Sequence, residues 1–141
     1  MTHTRRDLSL LLPALAAAAS GIAQDKKMLP SKTYKYEDLT VKANGENKGR
    51  AVFDGTTHTG YPLEVHITEL GPGQMPHPPH RHVDEEALML KNGQLDVTIS
   101  GKTTRITAGS VAFVASNEEH GWKNPGPDKA EYFVIAFGNK K

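Results

Sequence analysis

The chain has 141 residues, with 17 lysines and arginines against 16 aspartates and glutamates, so its formal net charge at pH 7 is +1. A net charge this close to zero, without a run of basic residues, gives no indication that the protein binds nucleic acid or a membrane surface. Because cysteine is absent from the sequence, disulfides, thiolate metal ligands and a cysteine nucleophile are excluded.

Residues 1–23 have the pattern of an export signal. Arg5 and Arg6 precede an apolar run at 8–19, and residues 21–23 are a small-x-small cleavage candidate. The apolar run is shorter than the about 20 residues that a membrane-spanning helix needs. The arginine pair resembles a twin-arginine signal, and an ordinary secretory signal is the alternative. The sequence therefore predicts an exported protein, periplasmic or extracellular, with no membrane partner after cleavage and no nucleic-acid partner.

Residues 24–49 are polar and lysine-rich, and we predict that they form a flexible leader and an N-terminal arm. Tyr34 and Tyr36 are the clear anchors of this stretch, within an edge strand or extended arm at 33–43. A turn cluster follows at 44–49.

Short strands separated by turns fill residues 50–141, a pattern typical of an all-β sandwich or barrel. Residues 63–67 and 95–99 alternate apolar with polar side chains, as half-buried strands do. Asn92 and Gly93 predict a hairpin turn. Residues 130–137 are apolar at nearly every position, so we expect both faces to be covered, one of them by a second subunit. The prediction is a small antiparallel jelly roll that forms a homodimer, with the arm added to the partner's sheet edge.

Histidines and carboxylates cluster near the middle of the chain. If this segment is extended, His80, His82 and Glu86 project to one side and Glu85 to the other, because strand side chains alternate between two faces. Two imidazoles and one carboxylate suit a borderline divalent metal. The alternative is a polar loop of solvated histidines. His120, which follows an apolar strand and a turn, offers one more imidazole.

These two stretches resemble the two motifs of the cupin family. The first motif fits at His80, His82, Glu86 and Gly93, and the second fits at Gly109, His120 and Asn124. Ala115 stands where the family has proline and Asn117 where it has glycine, and asparagine tolerates the left-handed conformation that glycine supplies in a turn. Six residues rather than the usual five separate Gly73 from His80. The resemblance covers about residues 60–138.

The resemblance implies a cupin double-stranded β-helix over residues 50–141, preceded by the export signal at 1–23 and by the leader and arm at 24–49. It implies one divalent metal bound by His80, His82, Glu86 and His120. Iron or manganese is favoured, because a protein that folds before twin-arginine export can load these weakly competing ions inside the cell. Zinc, nickel and copper are the other candidates.

The resemblance further implies a metalloenzyme that acts on a small organic substrate. A dioxygenase-like reaction is favoured, and isomerase or lyase chemistry is also open, since the metal would polarise a substrate as a Lewis acid. Glu86 would double as a general base if its bond to the metal is weak. A non-catalytic module that binds a small ligand or a metal is the alternative.

Several side chains around the motifs have two interpretations. Asn124 would orient a metal ligand or cap a loop, and His77 would face substrate or solvent. Trp122 would wall a pocket or pack in the core. We expect Leu88 and Phe113 to help line an apolar cavity beside the metal, of the kind that a small organic ligand requires.

Overall fold

The computed structural model describes residues 27–138, so the predicted export signal lies outside the described residues. Within that range a 3₁₀ turn at Tyr36–Asp38 is the one helical element, and no helix has the length and apolarity to cross a membrane. Nine strands carry the fold: β1 (Val41–Asn44), β2 (Asn47–Thr56), β3 (Pro62–Leu70), β4 (Glu85–Asn92), β5 (Gln94–Ile99), β6 (Lys102–Thr107), β7 (Val111–Val114), β8 (His120–Lys123) and β9 (Ala130–Phe137).

The strands form two sheets in which the named strands pair antiparallel. One sheet has six strands in the order β1-β2-β3-β9-β4-β7, and the other has three in the order β6-β5-β8. Strands distant in sequence are neighbours, as β9 is to β3 and β4, so the chain winds through both sheets. This is the predicted all-β jelly roll.

The two sheets enclose the core. Its buried members are Leu70, Leu88, Leu90, Leu95, Val97, Trp122, Ala130, Tyr132 and Val134. On β9 the buried Tyr132 and Val134 alternate with Phe133 and Ile135, which are half-buried on the opposite face. The inner face of β9 is therefore covered as predicted, whereas the cover over its outer face is partial in the single chain.

The predicted hairpin turn at Asn92 and Gly93 is wrong. Strand β4 ends at Asn92 and pairs with β7 and β9, whereas β5 pairs with β6 and β8. The chain crosses here from one sheet to the other. Gly93 has φ +81°, and a Cβ on it would lie 2.7 Å from the carbonyl oxygen of Lys129. The Asn-Gly pair thus permits a tight turn at which the chain crosses between the sheets. Such a turn has the same local sequence as a hairpin turn.

The chain before β1 packs against the end of β2. Met28 forms a bridge with Thr56, and the Leu29 N–H donates to the Thr56 carbonyl at 2.9 Å. Gly55 allows this approach, because a Cβ there would lie 2.4 Å from the Lys27 carbonyl oxygen. Farther along, the ring of Tyr34 lies 5.2 Å from that of Phe53.

Tyr36 anchors the arm at the opposite end of the six-stranded sheet. Its hydroxyl donates to Glu131 Oε1 at 2.7 Å, and the cations of Arg50 and Lys91 lie 4.5 and 4.7 Å from the centroid of its ring. Strand β1 then pairs with β2 of the same chain. Since β2 begins at Asn47, this strand crosses the boundary predicted between residues 49 and 50.

Candidate metal centre

The four predicted ligands reach one region from three parts of the fold. Glu86 is on β4 in the six-stranded sheet, and His120 begins β8 in the three-stranded sheet. His80 and His82 lie in the connection between β3 and β4. The backbones of His80 and His120 form an isolated antiparallel bridge with two hydrogen bonds of 3.0 Å. The region therefore spans both sheets, where this connection crosses the start of β8.

The ligand atoms of His80, His82 and His120 lie within 4.8 Å of one another. Glu86 adjoins this group, since its Oε1 lies 3.3 Å from His82 Nε2 and its Oε2 lies 3.3 Å from His120 Nε2. The three imidazoles thus converge, and the carboxylate contacts two of them. That they bind a metal there stays a prediction.

The segment that carries His80, His82 and Glu86 is not one strand, although strand alternation predicted that these side chains project to one side. Strand β4 starts at Glu85, and the residues between His80 and Glu85 are irregular. The segment is held instead by the turn between β7 and β8, because the Asn117 N–H donates to the His82 carbonyl at 2.8 Å. Asn117 has φ +63°, which confirms the left-handed conformation expected at this position.

Backbone carbonyls orient two of the imidazoles. His82 Nδ1 lies 2.9 Å from the Asp84 carbonyl oxygen, and His120 Nδ1 lies 2.9 Å from that of Glu118. A carbonyl only accepts hydrogen bonds, so each Nδ1 donates, and in the neutral ring each Nε2 keeps a lone pair. Both lone pairs face the carboxylate of Glu86. Metal-binding histidines characteristically donate through the other ring nitrogen in this way.

Three buried polar atoms at this site have no hydrogen-bond partner among residues 27–138: His80 Nδ1, Glu86 Oε2 and His120 Nε2. Buried groups are rarely left so, because an unmade hydrogen bond costs about 1–3 kcal/mol. A proton would satisfy one contact between carboxylate and imidazole, whereas a divalent cation would satisfy all of them at once. Three nitrogen donors and one carboxylate also suit such an ion chemically. The residues present therefore fit a divalent metal.

Burial and neighbouring imidazoles favour the neutral form of His80. Burial lowers the pKa of His80 below its ordinary value of 6.5, and His77, His120 and His82 lower this pKa further. A neutral imidazole is the form that binds metals. The His77 ring itself is exposed and meets the His80 ring edge-on, with centroids 4.2 Å apart. This contact could not be predicted from the sequence, since prolines on both sides of His77 hide any strand period.

The interior wall of the site matches the expectation in part. Leu88 shares the inward face with Glu86 and is buried. Phe113 is 53% exposed on the outer face of β7, so its predicted place in the cavity wall is wrong. It pairs with Ala87, which is one residue out of phase with Glu86. Trp122 packs in the core, which is one of its two interpretations, and its ring also stacks on His120.

Asn124 caps a loop, which is one of the two roles expected for it. Its side-chain amide lies 2.8–3.2 Å from three carbonyl oxygens, those of Leu70, Gly71 and Asp128. Its Oδ1 accepts a hydrogen bond from the Gly126 N–H at 3.0 Å. The fully buried side chain therefore ties the β8–β9 connection to the end of β3.

Comparison of the sequence with known proteins agrees with this geometry. The Cupin_2 model of a cupin domain matches residues 66–136. A stretch of 77 residues is 34% identical to the dimethylsulfoniopropionate lyase DddW of Ruegeria pomeroyi, and it covers 55% of this chain and 50% of that protein. The chain thus spans about half the length of this curated relative.

Solved structures with similar folds include three bacterial proteins. An RmlC-like cupin from Shewanella frigidimarina has a TM-score of 0.64 and 18% identity, over 79% of this chain and 95% of that one. KdgF from a Halomonas species has a TM-score of 0.66 and 13% identity, over 79% and 97%. A predicted oxalate decarboxylase from Thermotoga maritima has a TM-score of 0.64 and 19% identity, over 74% and 97%. At these identities the similarity concerns the fold alone.

Proposed function

The chain belongs to the cupin family, and from this premise we propose that it is an exported metalloenzyme that acts on a small organic substrate. The observation that carries the proposal is the contact between Glu86 Oε2 and His120 Nε2. Both atoms are buried and lack hydrogen-bond partners among the described residues, yet they lie 3.3 Å apart. Because His120 Nδ1 donates to a carbonyl, its Nε2 is left to face the carboxylate. A cation bound by both atoms would satisfy them.

His80, His82, Glu86 and His120 would hold this cation, with iron or manganese favoured and zinc, nickel or copper possible. A divalent metal bound there would act as a Lewis acid on an oxygen atom of the substrate. Four protein ligands leave positions open on an ion that prefers six, as iron and manganese do, and open positions are typical of catalytic sites.

Glu86 is the residue of this site that can move a proton. Its two oxygens face different imidazoles, Oε1 towards His82 and Oε2 towards His120. If one oxygen held the ion, the other would accept a proton from a bound substrate. The core residues beneath, such as Leu88 and Val114, are buried and keep water from reaching the carboxylate from inside the barrel.

The direction from which a substrate would approach follows from the burial of the three imidazoles. His120 is 1% exposed, whereas His80 and His82 are half-buried, so the site is accessible from the side of the β3–β4 connection. His77 is exposed on this same side and lies against His80. A small substrate would therefore enter past the His77 loop and meet the open side of the site.

The proposed metalloenzyme would follow one of two reaction classes. The family resemblance favours a dioxygenase-like reaction, whereas the 34% identity to a dimethylsulfoniopropionate lyase favours elimination. In an elimination, a base takes a proton from the carbon next to the one that bears the leaving group, and Glu86 would be that base. A cupin that binds a small ligand or a metal without catalysis is the alternative function.

An oxygen-controlled assay separates these possibilities. Protein reloaded with iron or manganese would be incubated with dimethylsulfoniopropionate, catechols, flavonols and small organic acids, in air and under nitrogen. We expect turnover that needs the metal and is abolished in Glu86→Gln. Turnover under nitrogen would assign a lyase, and oxygen uptake would assign a dioxygenase. Ligand binding without turnover across the panel would instead assign the non-catalytic module.

We also propose that the protein acts as a homodimer. The outer face of strands β7 and β4 carries the exposed apolar side chains Val111, Phe113 and Met89, which are 60%, 53% and 45% exposed. Exposed apolar patches of this kind often mark interaction surfaces. A second copy of the chain would cover this face, together with the half-buried outer side of β9.

A further inference from the structure

We propose that Trp122 and Tyr132 form a positioning pair that fixes the His120 imidazole and the separation of the two sheets beside the metal centre. The inference rests on the proposed function, because its main consequence is the affinity of the site for a metal ion. Neither side chain is a proposed ligand. Tyr132, in particular, lies outside both cupin motifs and was not singled out by the sequence.

The first contact is a stack between Trp122 and His120. The two residues are two positions apart on β8, so their side chains share a face of that strand. Their ring centroids are 5.6 Å apart with an interplanar angle of 28°, and both side chains are almost fully buried. The imidazole is therefore held at Nδ1 by the Glu118 carbonyl and across one face by the indole. It cannot tilt towards the core without displacing Trp122.

The second contact joins Trp122 to the opposite sheet. Its indole Nε1–H donates to the Tyr132 hydroxyl at 2.8 Å, in a fully buried hydrogen bond. Trp122 belongs to the three-stranded sheet and Tyr132 to the six-stranded sheet. Burial raises the pKa of Tyr132 far above its ordinary value of 10, and Glu86 raises it further, so the hydroxyl stays neutral. The Thr68 side chain also hydrogen-bonds to this hydroxyl and helps to fix its position.

The metal centre needs the same alignment of the sheets. Glu86 and His120 stand on different sheets, and their facing atoms are 3.3 Å apart. A shift of one sheet against the other would change this distance directly. The Trp122–Tyr132 hydrogen bond crosses between the sheets in the same core, so it holds the ligands at bonding range before an ion arrives. Such preorganisation through residues outside the ligand set commonly changes metal affinity by about 10–100-fold.

Two conservative variants test the pair, and one control separates positioning from general stability. Tyr132→Phe and Trp122→Phe each remove one partner of the hydrogen bond. Ile67→Ala removes a side chain that is 2% exposed but lies outside the core cluster that contains Trp122. Each protein would be stripped of metal and titrated with Co²⁺, whose visible absorption reports coordination geometry. Since Trp122 is the only tryptophan in the sequence, its fluorescence also reports the ion next to His120.

We expect Tyr132→Phe to bind Co²⁺ about tenfold more weakly than the wild type and to change the visible spectrum. Trp122→Phe should do the same by absorption, and it provides the test if Tyr132→Phe does not fold. Ile67→Ala should lower the unfolding temperature while keeping the wild-type affinity and spectrum. Wild-type Co²⁺ binding in Tyr132→Phe, with the same spectrum, would overturn the inference.

A measurement on metal-free protein distinguishes failure of this inference from failure of the proposed function. If the wild type takes up no Co²⁺, the proposed function fails. The positioning role of Trp122 and Tyr132 is then tested by NMR, because stacking on the indole changes the chemical shifts of the His120 ring protons. We expect this shift to shrink in Tyr132→Phe and to persist in Ile67→Ala. An unchanged His120 signal in Tyr132→Phe would contradict the positioning role.

Discussion

Oε2 of Glu86 lies 3.3 Å from Nε2 of His120, although the two residues belong to different sheets of the jelly roll. Neither atom has a hydrogen-bond partner in the part of the chain that the structure describes. The fold thus brings a carboxylate and an imidazole together in the interior, and the proposed cation would satisfy both atoms. Substitution of either residue should have measurable consequences.

Glu86→Gln should weaken metal binding by at least about tenfold, since a neutral amide replaces the one carboxylate among the proposed ligands. Glu85→Gln is the matched control, because consecutive strand residues project to opposite faces and Glu85 begins β4. A competition assay with a coloured chelator measures both. Equal losses in the two variants would show that Glu86 is not the ligand.

How much of this site the sequence could predict depends on the range of each interaction. Spacing within one segment selected His80, His82 and Glu86, and a second segment supplied His120. Contacts set by the pairing of distant strands were out of reach, because no local period reports them. Tyr132 illustrates this limit: within the apolar run of β9 its hydroxyl is inconspicuous, and its role emerges only from the packing of β9 against β8.

The crossing at Gly93 is a feature of the fold that the local sequence could not predict either. Its geometry predicts that substitution of Gly93 lowers the free energy of unfolding. Gly93→Ala forces φ +81° on an alanine and places its Cβ 2.7 Å from the Lys129 carbonyl oxygen. Gly109→Ala is the control, since Gly109 has φ +88° but open space around a Cβ. The control should cost about 1–2 kcal/mol, and Gly93→Ala about 3 kcal/mol or more. Urea denaturation measures both, and equal costs would mean that the close approach is relaxed in solution.

The clasp that Glu131 forms with Tyr36, Asn92 and Lys91 predicts an acid-dependent stability. Burial alone would raise the pKa of Glu131, but hydrogen bonds from Lys91, Tyr36 and Asn92 bring it below the ordinary 4.5. A carboxylate with a lowered pKa stabilises the fold above its unfolded-state pKa and loses that contribution as pH falls through the folded-state value. Glu131→Gln should therefore be about 1–3 kcal/mol less stable at neutral pH. Its unfolding temperature should also decline less steeply in acid.

Thermal unfolding between about pH 3 and pH 7 measures this difference. Glu37→Gln, an exposed glutamate on the same arm, is the control and should follow the wild type. Parallel curves for Glu131→Gln and the wild type would show that the clasp contributes nothing to the pH dependence.

The proposed homodimer predicts a mass of twice the chain by light scattering at micromolar concentration. Phe113→Lys places a charge on the exposed apolar face of β7 and should give a monomer, because burying an unpaired charge is costly. Ala108→Lys adds the same charge in an exposed turn and should leave the dimer intact. A wild-type monomer, or a dimer unaffected by Phe113→Lys, would refute this surface.

The central claim is that His80, His82, Glu86 and His120 bind one ion, and a crystal structure of metal-loaded protein with anomalous scattering tests it most directly. We expect a single strong anomalous peak within about 2.0–2.2 Å of one atom from each of the four side chains. Its intensity should vanish in crystals of Glu86→Gln soaked at the same low concentration. A peak elsewhere, or crystals that show Glu86 and His120 sharing only a proton, would contradict the claim.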